Sequence, residues 1–471
     1  MLTREGNTLS GVTVTILNNP QFGQTVSRSN GFYDLAVNGG GQLTLNYTRP
    51  GYLPAQRQVT APWQDYVVVP DVALVPLDSK VTTITPNASF MQVHQSNTSS
   101  DSDGSRRATL LFPAGTTAQM VMPNGSTQPL TNLNIRASEY TVGSNGPMAM
   151  PAQLPPTSGY TYAVELSVDQ AISAGAAMVT FNQPLPVYVD NFLNFPVGIE
   201  VPLGYYDPQK SAWVASDNGR VVQIVSISGG LANVDTDGNG TPDNGLGITN
   251  PERQQLANLY TAAKTLWRMP ISHFTSWDAN WPFGPPPDAE PPGGDPPPDC
   301  DQCTDDDDTC SGSVIECQGQ VLGEKVRVAG TPYTLNYRSD RVVGRQAARS
   351  ISVPLSGATL PTSVKAIELE VSVAGQTSVQ TFAATTNQST LFLWDGKDAL
   401  GRDLQGRQKA TVRVGYTYDG VYQRAERFGY NGNGIPITGS QTRQEVTLNR
   451  ITESIIGPWD ARQQGLGGWS L

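Results

Sequence analysis

The chain has two histidines in 471 residues, no cluster of Lys or Arg, and no long apolar run. Each absence excludes something. Acid–base catalysis by imidazole has little material. Nucleic-acid binding needs clustered cations to neutralise phosphates, and none are present. A membrane-spanning helix needs about 18 or more consecutive apolar residues, and no such run occurs. There is no Gly-rich phosphate loop opening a helix and no Gly-x-Ser-x-Gly elbow. The opening Met1-Leu2-Thr3-Arg4-Glu5-Gly6 lacks the apolar centre of a leader, so the sequence reads as starting inside a domain.

The chain is rich in Gly (47) and Pro (36), and short alternating runs of Val, Thr, Ile and Tyr recur between turn-forming clusters. That pattern predicts an all-β, multidomain protein built of antiparallel β-sandwiches. Its length suggests about three domains. The net charge of −11 is concentrated: nine acids and no Lys or Arg lie between Trp281 and Cys310, and without them the remainder carries only −2.

Residues 1–79 form a first segment. Leu9–Ile16, Gly31–Val37 and Gln42–Tyr47 alternate with period two, and Ser29-Asn30-Gly31 supplies a turn. Residues 80–282 form a β-rich spacer, with strands expected at 107–116, 133–142, 160–168, 176–181, 185–190, 197–203 and 220–227. Its one helix is expected near 250–260, capped by Asn250, with Leu256, Leu259 and Tyr260 on one face. Residues 283–310 read as an acidic, Pro-rich linker too polar to bury anything. A last sandwich is expected over 311–471.

Three sets of residues suggest chemistry. In Asp235-Thr236-Asp237-Gly238-Asn239-Gly240-Thr241-Pro242-Asp243, oxygen side chains stand at loop positions 1, 3, 5 and 9 and Gly at 6. With the Thr241 carbonyl, this is the donor spacing of a short Ca²⁺ loop, and the ion's role would be structural. Leu246 stands at position 12 of the 235–246 loop, where a bidentate Glu belongs, and Glu252 is the residue expected to reach in instead. The plain alternative is a polar Gly-Asp-Asn turn. The four cysteines (300, 303, 310 and 317) could be half of a zinc site, but disulfides, first of all Cys310 with Cys317, fit better. That small ring would stabilise by at most ~2.5 kcal/mol. Pairing of Cys300 with Cys303 is left open because so short a loop is strained. His273-Phe274-Thr275 resembles the self-cleavage step of some autoproteolytic domains, with His273 as base and the Thr275 hydroxyl attacking the Phe274 carbonyl. The alternative is a strand, Met269–Phe274, closing a sandwich before Trp277 and Trp281.

The first segment, Gly-Val-x-Val-x-Ile followed by Thr-x-Ser-x-x-x-Gly-x-Tyr-x-Leu and Gly-Tyr, resembles the carboxypeptidase regulatory-like, transthyretin-like sandwich. The last segment runs from Gly330-Thr331-Pro332-Tyr333 through Leu393-Trp394-Asp395-Gly396 to Gly467-Gly468-Trp469-Ser470-Leu471. It resembles the Ig- or fibronectin-like plug that precedes the tyrosine-aspartate (YD) repeat shell in teneurins and bacterial Rhs-type proteins. The resemblance implies a secreted or cell-surface, non-enzymatic module. Its partner would be a YD-repeat β-shell in cis, which the plug closes at one end. It also implies contacts to that shell from Tyr337, Arg338, Arg341, Trp394 and Trp469. From its own residues Trp394 reads as a core anchor, and Tyr337, Arg338 and Arg341 read equally as an ordinary strand with surface Arg. The Gly- and Ser-rich style favours a bacterial source. Two other functions are carried: a stand-alone adhesin or carbohydrate-binding protein, which predicts exposed aromatics on one sandwich face, and the self-cleaving module.

Overall fold

The computed structural model describes residues 1–63, 66–143, 145–155, 158–293, 312–315, 322–339, 349–423, 425–429, 444–457 and 468–470. The protein is all-β. Among the described residues its sheets are antiparallel apart from one short parallel pair, Leu2–Thr3 with Ala73–Leu74. Two α-helices, Asp169–Ala174 and Asn250–Leu259, lie among the described residues.

The first segment carries a four-stranded sheet in the order Gln24–Val26, Thr13–Ile16, Gly41–Thr48, Ala55–Ala61. Val12, Val14, Ile16, Leu45 and Tyr47 form its core with Val72 and Leu74. Gly31–Val37 alternates as expected, with Tyr33, Leu35 and Val37 packed on this core. Yet it joins no ladder, so the side-chain period is right and the strand assignment is not. The turn before it closes through Gly31 N–H to the Arg28 carbonyl (2.9 Å), with Gly31 at φ +79°. A Cβ there would meet the Met1 carbonyl at 2.5 Å, so glycine is required twice over.

The second segment is a two-sheet sandwich. The larger sheet has nine strands, and its central path runs Thr127–Leu130, Ala118–Val121, Met178–Asp190, Thr265–Phe274, Gly219–Ser228, Glu200–Val201. The smaller has six, in the order Ala212–Ala215, Leu203–Asp207, Ser276–Ala279, Tyr162–Val168, Leu133–Glu139, Thr82–Ile84. Leu110, Val187, Trp267 and Ile271 from one face meet Leu133, Ile135, Leu166 and Trp277 from the other. The two strands expected at 176–181 and 185–190 are one strand with a register break between Thr180 and Leu185. Pro184 removes a donor there, and side-chain amides take over the ladder's work. Asn182 Oδ1 accepts the Thr117 N–H (2.8 Å), while Asn182 and Gln183 donate to the Gly115 and Ala114 carbonyls.

The outer face of the six-stranded sheet is covered rather than solvated. Tyr140, Met150, Tyr160 and Ala163 share a cluster with Leu53, Ala73 and Val75 of the first segment.

The third segment pairs a four-stranded sheet (Gln376–Ala383, Val364–Val373, Gln408–Asp419, Glu445–Ile456) with a two-stranded one (Ser350–Pro354, Ser389–Leu393). Leu369, Val371, Val412, Val414, Tyr416 and Trp394 lie between them. A separate four-stranded sheet is formed by Gly312–Ile315, Leu322–Arg327, Thr334–Arg338 and Trp469–Ser470, and none of Leu322–Arg327 or Thr334–Arg338 is buried.

The start of the Pro-rich stretch corrects the expectation that it buries nothing. Phe283 is 1% exposed in the third core, and Phe283–Gly284 pairs with Val421–Tyr422. Asp288 accepts from Thr362 and Ser363, the Glu290 N–H donates to the Tyr418 hydroxyl (3.1 Å), and Arg450 donates to the Gly293 carbonyl. One aromatic ring and a few backbone groups suffice to lay 283–293 along the sandwich.

Candidate functional site

The 235–246 loop leaves the Leu231–Asp235 strand and leads into the Asn250–Leu259 helix. Asp235, Asp237 and Asp243 come together: one carboxylate oxygen from each lies within 4.8 Å of the others. Asp235 is 1% exposed; its Oδ1 accepts the Asp237 and Gly238 N–H groups and its Oδ2 the Gly240 N–H. Burial works to raise its carboxyl, but the three amides outweigh it and hold it below the usual range. Asn239 Oδ1 accepts from the Thr241 N–H and hydroxyl, and both Asp243 oxygens accept from the Thr236 hydroxyl at 2.9 Å. Leu246 is at φ +58° and 43% exposed. A carboxylate oxygen has two lone pairs, so one on Asp235 Oδ2 stays available; the donor set suits a hard cation.

Glu252 is not part of this group. It is 2% exposed, and its Oε1 accepts from the Tyr188 hydroxyl (2.6 Å) and from Arg268 Nε (2.8 Å). Both elements of that pairing lie in the large sheet, away from the loop. The helix cap is also shifted by one residue: Thr249, not Asn250, accepts the Glu252 N–H, at 3.3 Å.

His273, Phe274 and Thr275 sit where the chain crosses between sheets. Thr265–Phe274 belongs to the larger sheet and Ser276–Ala279 to the smaller. His273 packs edge-on against Tyr205 (4.5 Å) and beside Trp277, and burial pushes its pKa down to about 4. Its Nδ1 lies 3.2 Å from the Ser272 hydroxyl, while the Thr275 hydroxyl has no partner among the described residues. The base does not hold the nucleophile, and neither residue has a positive φ. The geometry is that of a core crossover.

In the third segment, Tyr337 and Trp469 are register partners with ring centroids 5.2 Å apart, and the Arg338 N–H donates to the Gly468 carbonyl (2.8 Å). Trp394 is 3% exposed inside its own sandwich, which leaves it no surface for a shell contact and corrects that assignment. Its Nε1 donates to the Lys397 carbonyl, and Asp398 ties the following turn through the Leu400 and Arg402 N–H groups. Arg341, Cys300, Cys303, Cys310 and Cys317 lie outside the described residues.

Residues 1–74 match the Teneurin TTR-like domain. The N-terminal part of this chain is teneurin-like. The chain is similar to Teneurin-3 of Mus musculus, 32% identical over 159 residues, which is 34% of this chain and 5% of that protein. Teneurin-4 of Homo sapiens is 32% identical over 152 residues, 32% of this chain and 5% of its own length. Teneurin-1 of Caenorhabditis elegans is 27% identical over 151 residues, again 32% of this chain and 5% of that protein. The chain thus matches a small part of these relatives. All three are animal proteins, and the bacterial source read from composition draws no support from them.

Junction residues around the teneurin-like sheet escaped the sequence reading. Arg57, 4% exposed, donates to the carbonyls of Gln56 (2.6 Å), Met148 (2.9 Å) and Met150 (3.0 Å), and Gln56 bonds the Pro208 carbonyl. At the other junction, Phe195 stacks on Trp281 at 4.0 Å and meets Tyr422 edge-on. Asn218 donates to the Glu426 carbonyl. The alternation of Ala55–Ala61 would have placed Arg57 on one face, but nothing local says that this face is covered.

Proposed function

We propose that the chain is a non-enzymatic structural part of a secreted or cell-surface YD-repeat protein. In this reading the third sandwich closes one end of a β-shell built in cis, around a cargo or at a site of cell contact. The observation that carries it is the apolar surface of that sandwich. Val379, Leu391, Leu393, Ile451 and Ile455 are 51–66% exposed on its two sheets. Single exposed aliphatics are ordinary, but five on one small sandwich suit a body seated against a wall. The teneurin names of the relatives support the cell-surface placement. Among the described residues the exposed aromatics are Phe32, Trp63 and Tyr66 in the first segment, Phe90 in the second and Tyr333 in the third, so they are divided among the three segments.

The same proposal gives the loop a structural Ca²⁺ held by Asp235, Asp237, Asn239, Asp243 and the Thr241 carbonyl. The ion would neutralise three clustered carboxylates and fix the path into the Asn250–Leu259 helix.

The test of the plug is to produce this chain with and without the residues encoded after Leu471. Protection of the 349–457 sandwich from protease only in the longer protein is the expected result. Equal cleavage of both, or no YD-type sequence after Leu471, overturns the reading.

A further inference from the structure

Asp278 and Gly204 are register partners on adjacent antiparallel strands of the six-stranded sheet, so their side-chain positions share its outer face. The space a side chain on Gly204 would need is filled by Phe428, whose ring atoms lie 2.5–2.7 Å from an ideal Cβ. Phe428 is 6% exposed and follows the Val421–Tyr422 strand of the third segment. It also lies 6.0 Å from Trp213, on the edge strand of the same sheet. Phe428 is therefore seated on the second sandwich, next to the register position of a buried acid.

That acid is 0% exposed. Its Oδ2 accepts from Asn280 Nδ2 (3.0 Å), while its Oδ1 has no partner among the described residues. Asn280 is itself held by the Gly159 carbonyl and the Thr161 hydroxyl. The titratable groups around this face are Glu165 and Tyr140, joined to Ser276 on the neighbouring strand, with Tyr160, Tyr206 and Arg57 beneath the first segment. Glu426 and Arg427 flank Phe428. Asp217 lines the same junction as Glu426 and Arg427, and among the described residues none of these groups hydrogen-bonds or ion-pairs with Asp278. A carboxylate with one bare oxygen and no cation is strongly disfavoured in such a place, whereas the neutral acid is tolerated.

We propose that seating of Phe428 on the second sandwich is proton-coupled, with Asp278 as the neutral acid at the neighbouring register position and its ionisation weakening the contact. Burial raises the Asp278 carboxyl to about 8, against the smaller opposing effect of the Asn280 hydrogen bond. With Phe428 lifted, water reaches the carboxyl and its affinity for the proton falls. Seating then binds a proton, so it weakens as pH rises through the interval ending near 8 and is constant above it.

The experiment is a mutant cycle at two pH values. Phe428→Ala should lower Tm clearly at about pH 5 and by roughly half as much or less at about pH 9. In an Asp278→Asn background, which mimics the neutral acid, the loss should be the same at both. In a Glu165→Gln background the pH difference should persist. An infrared carboxylic-acid C=O band at neutral pH that Asp278→Asn removes would support the protonated state independently. The proposal is overturned if Phe428→Ala costs the same at both pH values in the wild type. It is equally overturned if the difference survives Asp278→Asn or disappears in Glu165→Gln. Should Asp278→Asn not fold, the wild-type comparison alone decides.

Discussion

Tyr337 and Trp469 face each other across adjacent antiparallel strands, although they stand near opposite ends of the third segment. The two central strands of their sheet are half-exposed. In Leu322–Arg327 and Thr334–Arg338 no residue is buried, and Leu322 and Val326 are each 41% exposed. An aromatic pair contributes about 0.5–1.5 kcal/mol beyond its area. Trp469→Ala should therefore loosen this sheet while leaving the 349–457 sandwich intact. Hydrogen exchange should quicken across Thr334–Arg338 and stay unchanged across Gln408–Asp419, and Trp469→Phe should restore most protection. Equal rates in wild type and Trp469→Ala would show that the ring contact does not hold the sheet.

Glu252 is a structural residue rather than a ligand. Its carboxylate is enclosed with Arg268 and the Tyr188 hydroxyl, fastening the helix to the large sheet. Removing one member of a buried pair leaves the other charge stranded, at a cost of about 3–5 kcal/mol. Glu252→Gln should lower the urea midpoint accordingly and leave Ca²⁺ affinity unaltered. A variant of normal stability that binds Ca²⁺ more weakly would restore Glu252 to the loop.

Glu252 also marks where sequence reasoning runs out. Local chemistry was legible: the turn at Asn30-Gly31, the spacing that gathers Asp235, Asp237 and Asp243, and the helix near 250–260 all follow from nearest neighbours. Alternation was legible too, even in Gly31–Val37, where side chains obey period two without a ladder. What could not be read was which faces meet. Glu252 could point back to its loop or across to Arg268, and only the register of the Thr265–Phe274 strand decides. Arg57, Glu165 and Asp278 look like surface residues on half-polar strands until a neighbouring segment covers them. Coverage depends on contacts far apart in sequence, which period and propensity do not encode.

Ca²⁺ should raise the melting temperature if the 235–243 loop holds it. Ligand bound only by the folded chain stabilises by about 2.7 kcal/mol at a hundredfold excess over Kd. Asp235→Ala should abolish the response and also cost stability in chelator, because the amides of Asp237, Gly238 and Gly240 lose their acceptor. Asp237→Ala should abolish the response with a smaller loss in chelator, since its exposed carboxylate serves only Asn239. Identical melting curves with Ca²⁺ and with chelator would remove the ion from the account.

Glu165 should make stability fall with rising pH. It accepts from the Tyr140 and Ser276 hydroxyls on the covered outer face, and burial raises it to about 7 against those two opposing hydrogen bonds. A carboxyl ordinarily titrates near 4.3 in an unfolded chain. Between that value and about 7 the folded chain holds a proton that the unfolded chain has lost, so stability declines across this window and levels off above it. Glu165→Gln should remove about one proton's share of the fall in unfolding free energy from about pH 4 to about pH 7, leaving the share that belongs to Asp278. A slope unchanged by the substitution would assign the proton elsewhere.

Arg57 is the hardest residue to replace without separating the first two segments. Burial lowers its guanidinium to about 10, while Tyr47, Tyr206 and Tyr33 act to raise it, so it remains charged at neutral pH. Its hydrogen-bond partners among the described residues are three backbone carbonyls and no carboxylate, an arrangement that uses the planar fork to close the ends of the 148–150 segment. Arg57→Met keeps the length of the side chain but leaves the Met148 and Met150 carbonyls unpaired in a dry interface, at about 1–3 kcal/mol for each. Arg57→Lys keeps the charge yet cannot reach all three acceptors from one nitrogen, and should fall between. Unfolding in urea should show the order wild type, Lys, Met. Protease should cut between the first and second segments soonest in Arg57→Met. A Met variant as stable as the wild type would mean that the apolar cluster of Leu53, Ala73, Tyr140 and Met150 holds the junction without the cation.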